Sequence, residues 1–176
     1  MNNRQYSLQS YVRHHQWALW IALPLACVVG LMEAVTPFLM QKGWDGKANS
    51  FVTWWRHTHF ENSMIDALCD RGHTPYRQIG HRAVSYVMDR CGLAYTQEEV
   101  RWLVGQIETL KPFPDVIAAL EKLRAAGYKL AILSNGDRDM LAAAVANADI
   151  AVLVDPVLSV EGTGRFKTDP ATYALG

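Results

Sequence analysis

Lys129-Leu-Ala-Ile-Leu-Ser-Asn-Gly136 is the stretch that decides the fold. It begins with a short apolar run, Lys129 to Leu133, that contains neither Gly nor Pro, and it ends in a small polar turn. This pattern is typical of a buried parallel strand that leads into a helix. The chemistry of open α/β sheets lies at the carboxyl ends of such strands, so Ser134 and Asn135 are candidate site residues. The alternative is that the turn only redirects the chain and caps the next helix.

The sequence on either side of this stretch predicts helices. One helix is expected to begin at Pro114 or Asp115 and to end just before Gly127, because glycine is favoured immediately after a helix end. The next is expected over residues 140–147, with Asp137 able to cap it. A strand flanked by helices in this way is typical of an α/β unit.

The remainder of the C-terminal part predicts two more strands and a last helix. Ile150 to Val154 is a second apolar run that indicates a buried strand, and Leu158 to Val160 indicates a third, short one. Asp169 followed by Pro170 predicts a helix start, with Asp169 as the N-cap and Pro170 in the first position.

The region before this unit, from about residue 50 to residue 110, reads as helical throughout. A first helix is predicted over 50–70, and a second begins at Thr74-Pro75 and ends before Gly92. A third opens at Thr96-Gln-Glu-Glu99, which has the form of a capping box. Three helices without an intervening strand predict an all-α module.

Composition limits the classes of protein to consider. The 176 residues are 50% hydrophobic, enough for one domain or for a core with a small cap. Lys and Arg together number 17, as do Asp and Glu, so no basic field indicates nucleic acid as a partner. The three cysteines have no metal-binding spacing and fit a reducing compartment.

An uncharged apolar stretch of sixteen residues, Trp17 to Met32, lies near the N-terminus. Its length is at the lower limit for a membrane span. Three interpretations remain open, namely a transmembrane or signal-anchor helix, a signal peptide, and a buried segment of a globular core. Pro24 disfavours a straight helix in a globular core and is tolerated in membranes, so the local sequence favours a membrane-type helix.

From Leu110 onward the chain resembles the haloacid dehalogenase superfamily, and within it the type II L-2-haloacid dehalogenases. The resemblance is carried by three motifs in order, namely Pro112-Phe-Pro-Asp-Val116, the strand ending in Ser134-Asn-Gly136, and Phe166-Lys-x-Asp-Pro-x-x-Tyr173. The helical module resembles the cap domain of that family more loosely. The implied fold is α/β, a partial Rossmannoid parallel sheet with an inserted all-helical cap. We expect an atypical N-terminal segment at 1–44, the cap at 45–110 and the core at 111–176.

The resemblance also implies a reaction, the hydrolysis of short-chain L-2-haloacids to 2-hydroxyacids. An Asp carboxylate displaces the halide, and water then hydrolyses the resulting ester. Ser134 and Asn135 match the motif that holds the substrate carboxylate, and Lys167 matches the lysine that keeps the nucleophile ionised. Tyr173 matches a tyrosine that lines the site, and Arg56 resembles the cap arginine associated with the halide. The implied partners are the haloacid, water and a second copy in a homodimer, with no metal or other cofactor.

The sequence departs from the family pattern at both ends. The family's first motif is an apolar strand ending in the Asp nucleophile, but the corresponding region reads Trp17-ALWIALPLACVVGLMEAVTP-Phe38. Asp45 follows no buried strand and lacks the Thr expected four residues later, so it is not assigned as the nucleophile. The family's acidic fourth motif is not found either. We therefore expect a fragment with impaired dehalogenase activity.

Two other functions are weighed against dehalogenation. One is a phosphatase of the same superfamily, which needs Mg²⁺ and two early Asp residues. The other is a non-catalytic remnant, tethered to a membrane if residues 17–32 insert, that binds small carboxylates or nothing. The Ser-Asn-Gly turn, Arg56 and Tyr173 favour the dehalogenase, and a cytoplasmic location is expected unless residues 17–32 insert.

Overall fold

The N-terminal part of the described chain is built from helices. The computed structural model describes residues 26–44 and 46–175. The helices are α1 (Ala26–Gln41), α2 (Ala48–Leu68), α3 (Tyr76–Arg90) and α4 (Gln97–Gly105), and α4 continues into a 3-10 turn, Gln106–Thr109. They enclose one apolar core, in which Phe51, Trp55, Val87 and Leu103 are fully shielded from solvent. The predicted helices of this region are confirmed, with small shifts at their ends.

The start of α3 differs by one residue from the prediction. Pro75 has an extended backbone, with φ −47° and ψ 134°, and is the N-cap rather than the first helical residue. Pro75 provides no side-chain cap for the helix. The acceptor for the first N–H groups of α3 comes from a distant part of the chain.

The capping box at the start of α4 is present as predicted. The Glu99 N–H donates to Thr96 Oγ1 over 3.2 Å, and the Thr96 N–H donates to Glu99 Oε2 over 2.8 Å. Lys42, just after α1, lies 2.6 Å from the other Glu99 oxygen. The box therefore joins the start of α4 to the end of α1.

Replacing Thr96 with Ala is expected to lower the free energy of unfolding by about 1 kcal/mol, because the Glu99 N–H loses its acceptor. Urea titration followed by circular dichroism measures this change. Gln97→Ala, at the exposed first position of α4, is the matched control. An equal loss in the two variants would show that the Thr96 hydroxyl contributes nothing specific.

The apolar N-terminal stretch is described only in its second half. Residues 17–25 lie outside the described residues, and the residues that follow form α1. Leu31, Val35 and Leu39 of α1 are buried in the same core as residues of α2, α3 and α4. Of the helices in the described ranges, none has the combined length and apolarity that crossing a bilayer requires.

The C-terminal part contains a small parallel sheet between helices. Its elements are α5 (Val116–Ala125), β1 (Ile132–Ser134), α6 (Arg138–Asn147), β2 (Val157–Ser159) and α7 (Pro170–Tyr173), with a 3-10 turn at Val160–Thr163. The register pairs Ile132 with Val157 and Ser134 with Ser159, so both strands end at the same edge. The predicted α/β class is confirmed. The predicted end of α5 before Gly127 is confirmed as well, and the φ of +85° at this position favours glycine.

The prediction of a strand at Ile150 to Val154 is wrong. These residues form a turn, in which the Val154 N–H and the Leu153 N–H both donate to the Ile150 carbonyl. Ile150 and Val154 are nevertheless buried, in the core that also contains Leu120 and Leu130. The turn places side chains four residues apart on one side, so an apolar run is buried here without forming a strand. The strand predicted at 158–160 is β2, shifted by one residue.

A third apolar cluster joins the helical module to the sheet. Ile79 of α3, Leu133 of β1, Val160 and Phe166 are all buried in it, and Phe166 is completely shielded. The two parts of the described chain therefore share a core at the edge of the sheet where β1 ends.

Candidate functional site

The carboxyl end of β1 forms a tight polar turn. The Gly136 N–H donates to Ser134 Oγ over 3.1 Å, and Ser159 Oγ donates to the Gly136 carbonyl over 2.7 Å. Asn135 is only 9% exposed. Because Ser159 ends the neighbouring strand, the parallel register itself places this second hydroxyl against the turn. Ser159 was not singled out from the sequence, because its position depends on the strand pairing.

Lys167 is held against the same turn by two hydrogen bonds. Its backbone N–H donates to Asn135 Oδ1 over 2.9 Å, and its Nζ donates to the Leu133 carbonyl over 2.8 Å. Burial of the ammonium lowers the pKa of Lys167 from its ordinary value. Phe166, the residue before Lys167, is buried in the core, and Asp169 caps α7 by accepting from the Ala171 N–H. Ser134, Asn135 and Lys167, predicted as site residues, thus lie together.

The other two candidate residues are not joined to this group. Arg56 lies in α2 and is half-buried, and its Nε is shielded from solvent without an acceptor among the described residues. Tyr173, the last residue of α7, is 51% exposed. Within the described ranges, neither side chain makes a hydrogen bond to Ser134, Asn135 or Lys167.

Two ring contacts connect the helix that carries Arg56 to the residue before Lys167. His59 follows Arg56 by three residues in α2 and stacks on Tyr76 with ring centroids 3.9 Å apart. Tyr76 in turn lies 6.1 Å from the Phe166 ring. Tyr76 and Phe166 therefore provide a packed connection between α2 and the segment that carries Lys167, which the sequence alone did not indicate.

His59 is a buried neutral imidazole. It is 3% exposed, and its Nε2 lies 2.8 Å from the Tyr76 carbonyl oxygen. Because a carbonyl only accepts, Nε2 carries the proton. Burial lowers the pKa of His59 from 6.5 to about 4; the Tyr76 carbonyl opposes the shift, and Arg56 and His81 reinforce it. The sequence alone does not indicate this burial.

Asp137 does not act as the sequence predicted. It occupies the N-cap position of α6, which begins at Arg138, but its side chain makes no hydrogen bond to that helix. Its two oxygens accept instead from the Tyr76 N–H over 2.7 Å and the Arg77 N–H over 2.9 Å, the first residues of α3. The sequence did not indicate this distant acceptor, because the predicted helix start at Thr74-Pro75 carried no sign that its capping group was missing.

The site is a cluster of hydrogen-bond donors suited to an anion. Asn135 Oδ1 is occupied by Lys167 N–H, which leaves the Asn135 Nδ2 as a donor beside the Ser134 hydroxyl and the Lys167 ammonium. No group of three or more His, Cys, Asp or Glu side chains among residues 26–44 and 46–175 is arranged to hold a metal ion.

Known proteins resemble this chain in sequence and in fold. The sequence model of the haloacid dehalogenase-like hydrolase family, a family of hydrolases, matches residues 42–175. (S)-2-haloacid dehalogenase H-109 from Pseudomonas putida is 30% identical over 135 residues, which are 77% of this chain and 60% of that protein. The (S)-2-haloacid dehalogenase from Xanthobacter autotrophicus is 33% identical over 135 residues, 77% of this chain and 52% of that protein.

Solved structures agree with the sequence matches. L-2-haloacid dehalogenase from Xanthobacter autotrophicus, with chloropropionic acid covalently bound, superposes with a TM-score of 0.73 at 30% identity, over 82% of this chain and 57% of that chain. Another structure of the enzyme from this organism superposes with a TM-score of 0.71, over 90% of this chain and 59% of that chain. The chain spans between half and two thirds of the length of these relatives. Because the family model matches most of the length of the chain, the chain belongs to the haloacid dehalogenase-like hydrolases.

Proposed function

We propose that the protein hydrolyses short-chain L-2-haloacids to 2-hydroxyacids, and that this chain carries the part of the site that binds the substrate carboxylate. The observation that carries the proposal is the position of Lys167, whose backbone N–H bonds to Asn135 in the turn and whose ammonium bonds to the Leu133 carbonyl at the end of β1. A turn of this kind with a cation beside it binds an anion through charge-assisted hydrogen bonds. The relatives named above are haloacid dehalogenases by name.

The proposed reaction divides into two displacements. An aspartate oxygen attacks C2 of the haloacid, the carbon–halogen bond breaks, and halide leaves. Water then adds to the carbonyl of the aspartyl ester, which releases the 2-hydroxyacid and a proton and restores the carboxylate. Lys167 would keep that carboxylate ionised by its positive charge. The nucleophilic aspartate is not assigned to a residue of this chain, and Asp45 lies outside the described residues.

The helical module would act as the cap over this site, with residues 45–110 as the cap and 111–176 as the core. Arg56 supports this role, because its shielded Nε–H has no acceptor among the described residues. A buried donor without an acceptor costs free energy that an incoming halide would recover. Tyr173, at the end of α7, would line the opening of the site.

The expected partners are the haloacid, water and a second copy of the chain. Light scattering would show the homodimer as twice the 19.7 kDa chain mass. A cytoplasmic location is part of the same proposal, and free thiols at Cys69 and Cys91 are compatible with it.

Replacing Lys167 with Met is expected to weaken binding of (S)-2-chloropropionate roughly 10- to 100-fold, because a charge-assisted hydrogen bond is lost. Ser134→Ala is expected to act in the same direction. Titration of the ¹⁵N-labelled chain, followed at the amides of Ser134 to Asp137, measures the affinity. Lys122→Met, which removes an exposed ammonium from α5, is the matched control.

Chloride release by the same samples tests the chemistry separately from binding. The proposal predicts that any release falls to the level of the Ser134→Ala/Lys167→Ala double variant when either group is removed. Hydrolysis of p-nitrophenyl phosphate with Mg²⁺, in the absence of chloropropionate binding, would instead identify the phosphatase alternative. Equal chloropropionate affinity in the wild-type chain and the double variant would contradict the proposed carboxylate site.

A further inference from the structure

We propose that Asp137 is a positioning residue that sets the substrate-binding turn relative to the helix carrying Arg56. Both carboxylate oxygens of Asp137 accept from the first two N–H groups of α3, and the residue is 8% exposed. Helix N-termini leave such donors unpaired and carry partial positive charge, so a buried carboxylate binds there strongly. The acceptor is 61 and 60 positions away in sequence from the two donors, so the bonds fix tertiary geometry rather than local structure.

Because Asp137 adjoins the substrate-binding turn, its bonds to α3 also hold that turn in place. Asp137 directly follows Ser134-Asn135-Gly136 and belongs to the same turn. On the other side of that turn, Asn135 accepts from the Lys167 N–H. The turn is therefore attached to α3 through Asp137 and to Lys167 through Asn135.

The attachment continues from α3 to α2. The Tyr76 N–H donates to Asp137, and the Tyr76 carbonyl accepts from His59 in α2 over 2.8 Å. His59 follows Arg56 by three residues, so the two lie on neighbouring positions of one helix face. A displacement of Asp137 would thus be transmitted through one residue, Tyr76, to the helix that presents Arg56.

Neighbouring ion pairs are poorer candidates for this role. Arg77 bonds to Asp139 and to Glu108, each over 2.7 Å. The Asp139 side chain is 66% exposed, and exposed ion pairs contribute little because solvent screens them. Asp139 is therefore a matched control, since it is two residues from Asp137, carries the same charge and contacts the same part of α3.

Hydrogen exchange tests the contact without any ligand. In Asp137→Ala, the exchange of the Tyr76 and Arg77 amides is expected to rise roughly 10- to 100-fold, because both lose a charged acceptor. The Asn135 and Gly136 amides, which lie in the turn, are expected to exchange faster as well. Asp137→Asn keeps one oxygen acceptor, so its exchange rates should lie between those of the wild-type chain and Asp137→Ala. Asp139→Ala should leave the exchange of all four amides unchanged. Fast exchange at Tyr76 and Arg77 with an unchanged turn would overturn the proposed coupling.

Binding of (S)-2-chloropropionate tests the consequence, and this arm rests on the proposed function. Asp137→Ala is expected to weaken the affinity at least several-fold at a temperature where the variant is folded, with partial recovery in Asp137→Asn. If the wild-type chain binds and Asp137→Ala binds with unchanged affinity, Asp137 only caps α3 and the proposed positioning role is contradicted. Absence of binding in the wild-type chain would contradict the proposed function, and the exchange of the Asn135 and Gly136 amides would still decide the positioning role.

Discussion

Replacing Phe166 with Ala is expected to lower the free energy of unfolding by about 3–5 kcal/mol. Phe166 is completely shielded from solvent and packs with Ile79 of α3, Leu133 of β1 and Val160. Truncation removes the transfer free energy of the ring and leaves a cavity among partners that belong to different elements. Urea titration at neutral pH, followed by tryptophan fluorescence, measures the loss.

The same substitution has a second expected consequence, at the candidate site. Lys167 adjoins Phe166, and its two bonds to the β1 turn require the backbone to stay in place. Chloropropionate affinity should therefore fall more in Phe166→Ala than in Phe113→Ala, whose ring is 39% exposed. Phe113→Ala should cost about 1 kcal/mol or less in stability. A similar small cost for Phe166→Ala would show that the cluster does not join the helical module to the sheet.

Lowering the pH from 6.5 to 4 is expected to remove about 3 kcal/mol of stability through His59 alone. The pKa of His59 is about 4 in the folded chain against 6.5 as its ordinary value, a difference of about 2.5 units. Between these values the unfolded chain binds a proton that the folded chain does not. Protonation therefore favours unfolding, so the contribution of His59 is complete above pH 6.5 and is lost as the pH falls towards 4.

Comparison of two glutamine variants isolates this effect from the titration of carboxylates in the same pH range. His59→Gln preserves a side-chain N–H for the Tyr76 carbonyl and cannot titrate. Between pH 6.5 and pH 4 this variant should therefore lose about 3 kcal/mol less unfolding free energy than the wild-type chain. His57→Gln changes an exposed histidine of the same helix and should leave the pH dependence unchanged. A His59→Gln variant that loses as much stability as the wild-type chain would contradict the buried neutral imidazole.

Sequence reasoning succeeded where the determinants are local. The capping box at Thr96 and Glu99, the glycine after α5 and the Asp169-Pro170 helix start were all predicted, and each depends on residues within one helical turn. The polar turn at Ser134 and Asn135 was also located from sequence, because an apolar run followed by small polar residues marks the end of a buried strand.

Sequence reasoning failed where burial alone had to distinguish two structures. Ile150 and Val154 are buried as predicted, but in a turn rather than a strand. An apolar run specifies that side chains leave water and does not specify the backbone that carries them.

Asp137 was predicted to cap the helix it precedes, whereas its carboxylate reaches α3. A capping residue satisfies whichever unpaired N–H groups lie nearest in space, and sequence distance does not determine those.

The sequence by itself determined most of the helices, the strand that leads into the Ser134-Asn135 turn, and Ser134, Asn135 and Lys167 as polar residues of the candidate site. The tertiary structure alone decided which of these residues meet. It brought Lys167 to Asn135 and Asp137 to Tyr76, and it buried His59 as a neutral base. The physical reason is that propensity, capping and hydrophobic period act over a few residues. The pairing of a distant donor with an acceptor, and the pKa that burial imposes, depend on how whole elements pack.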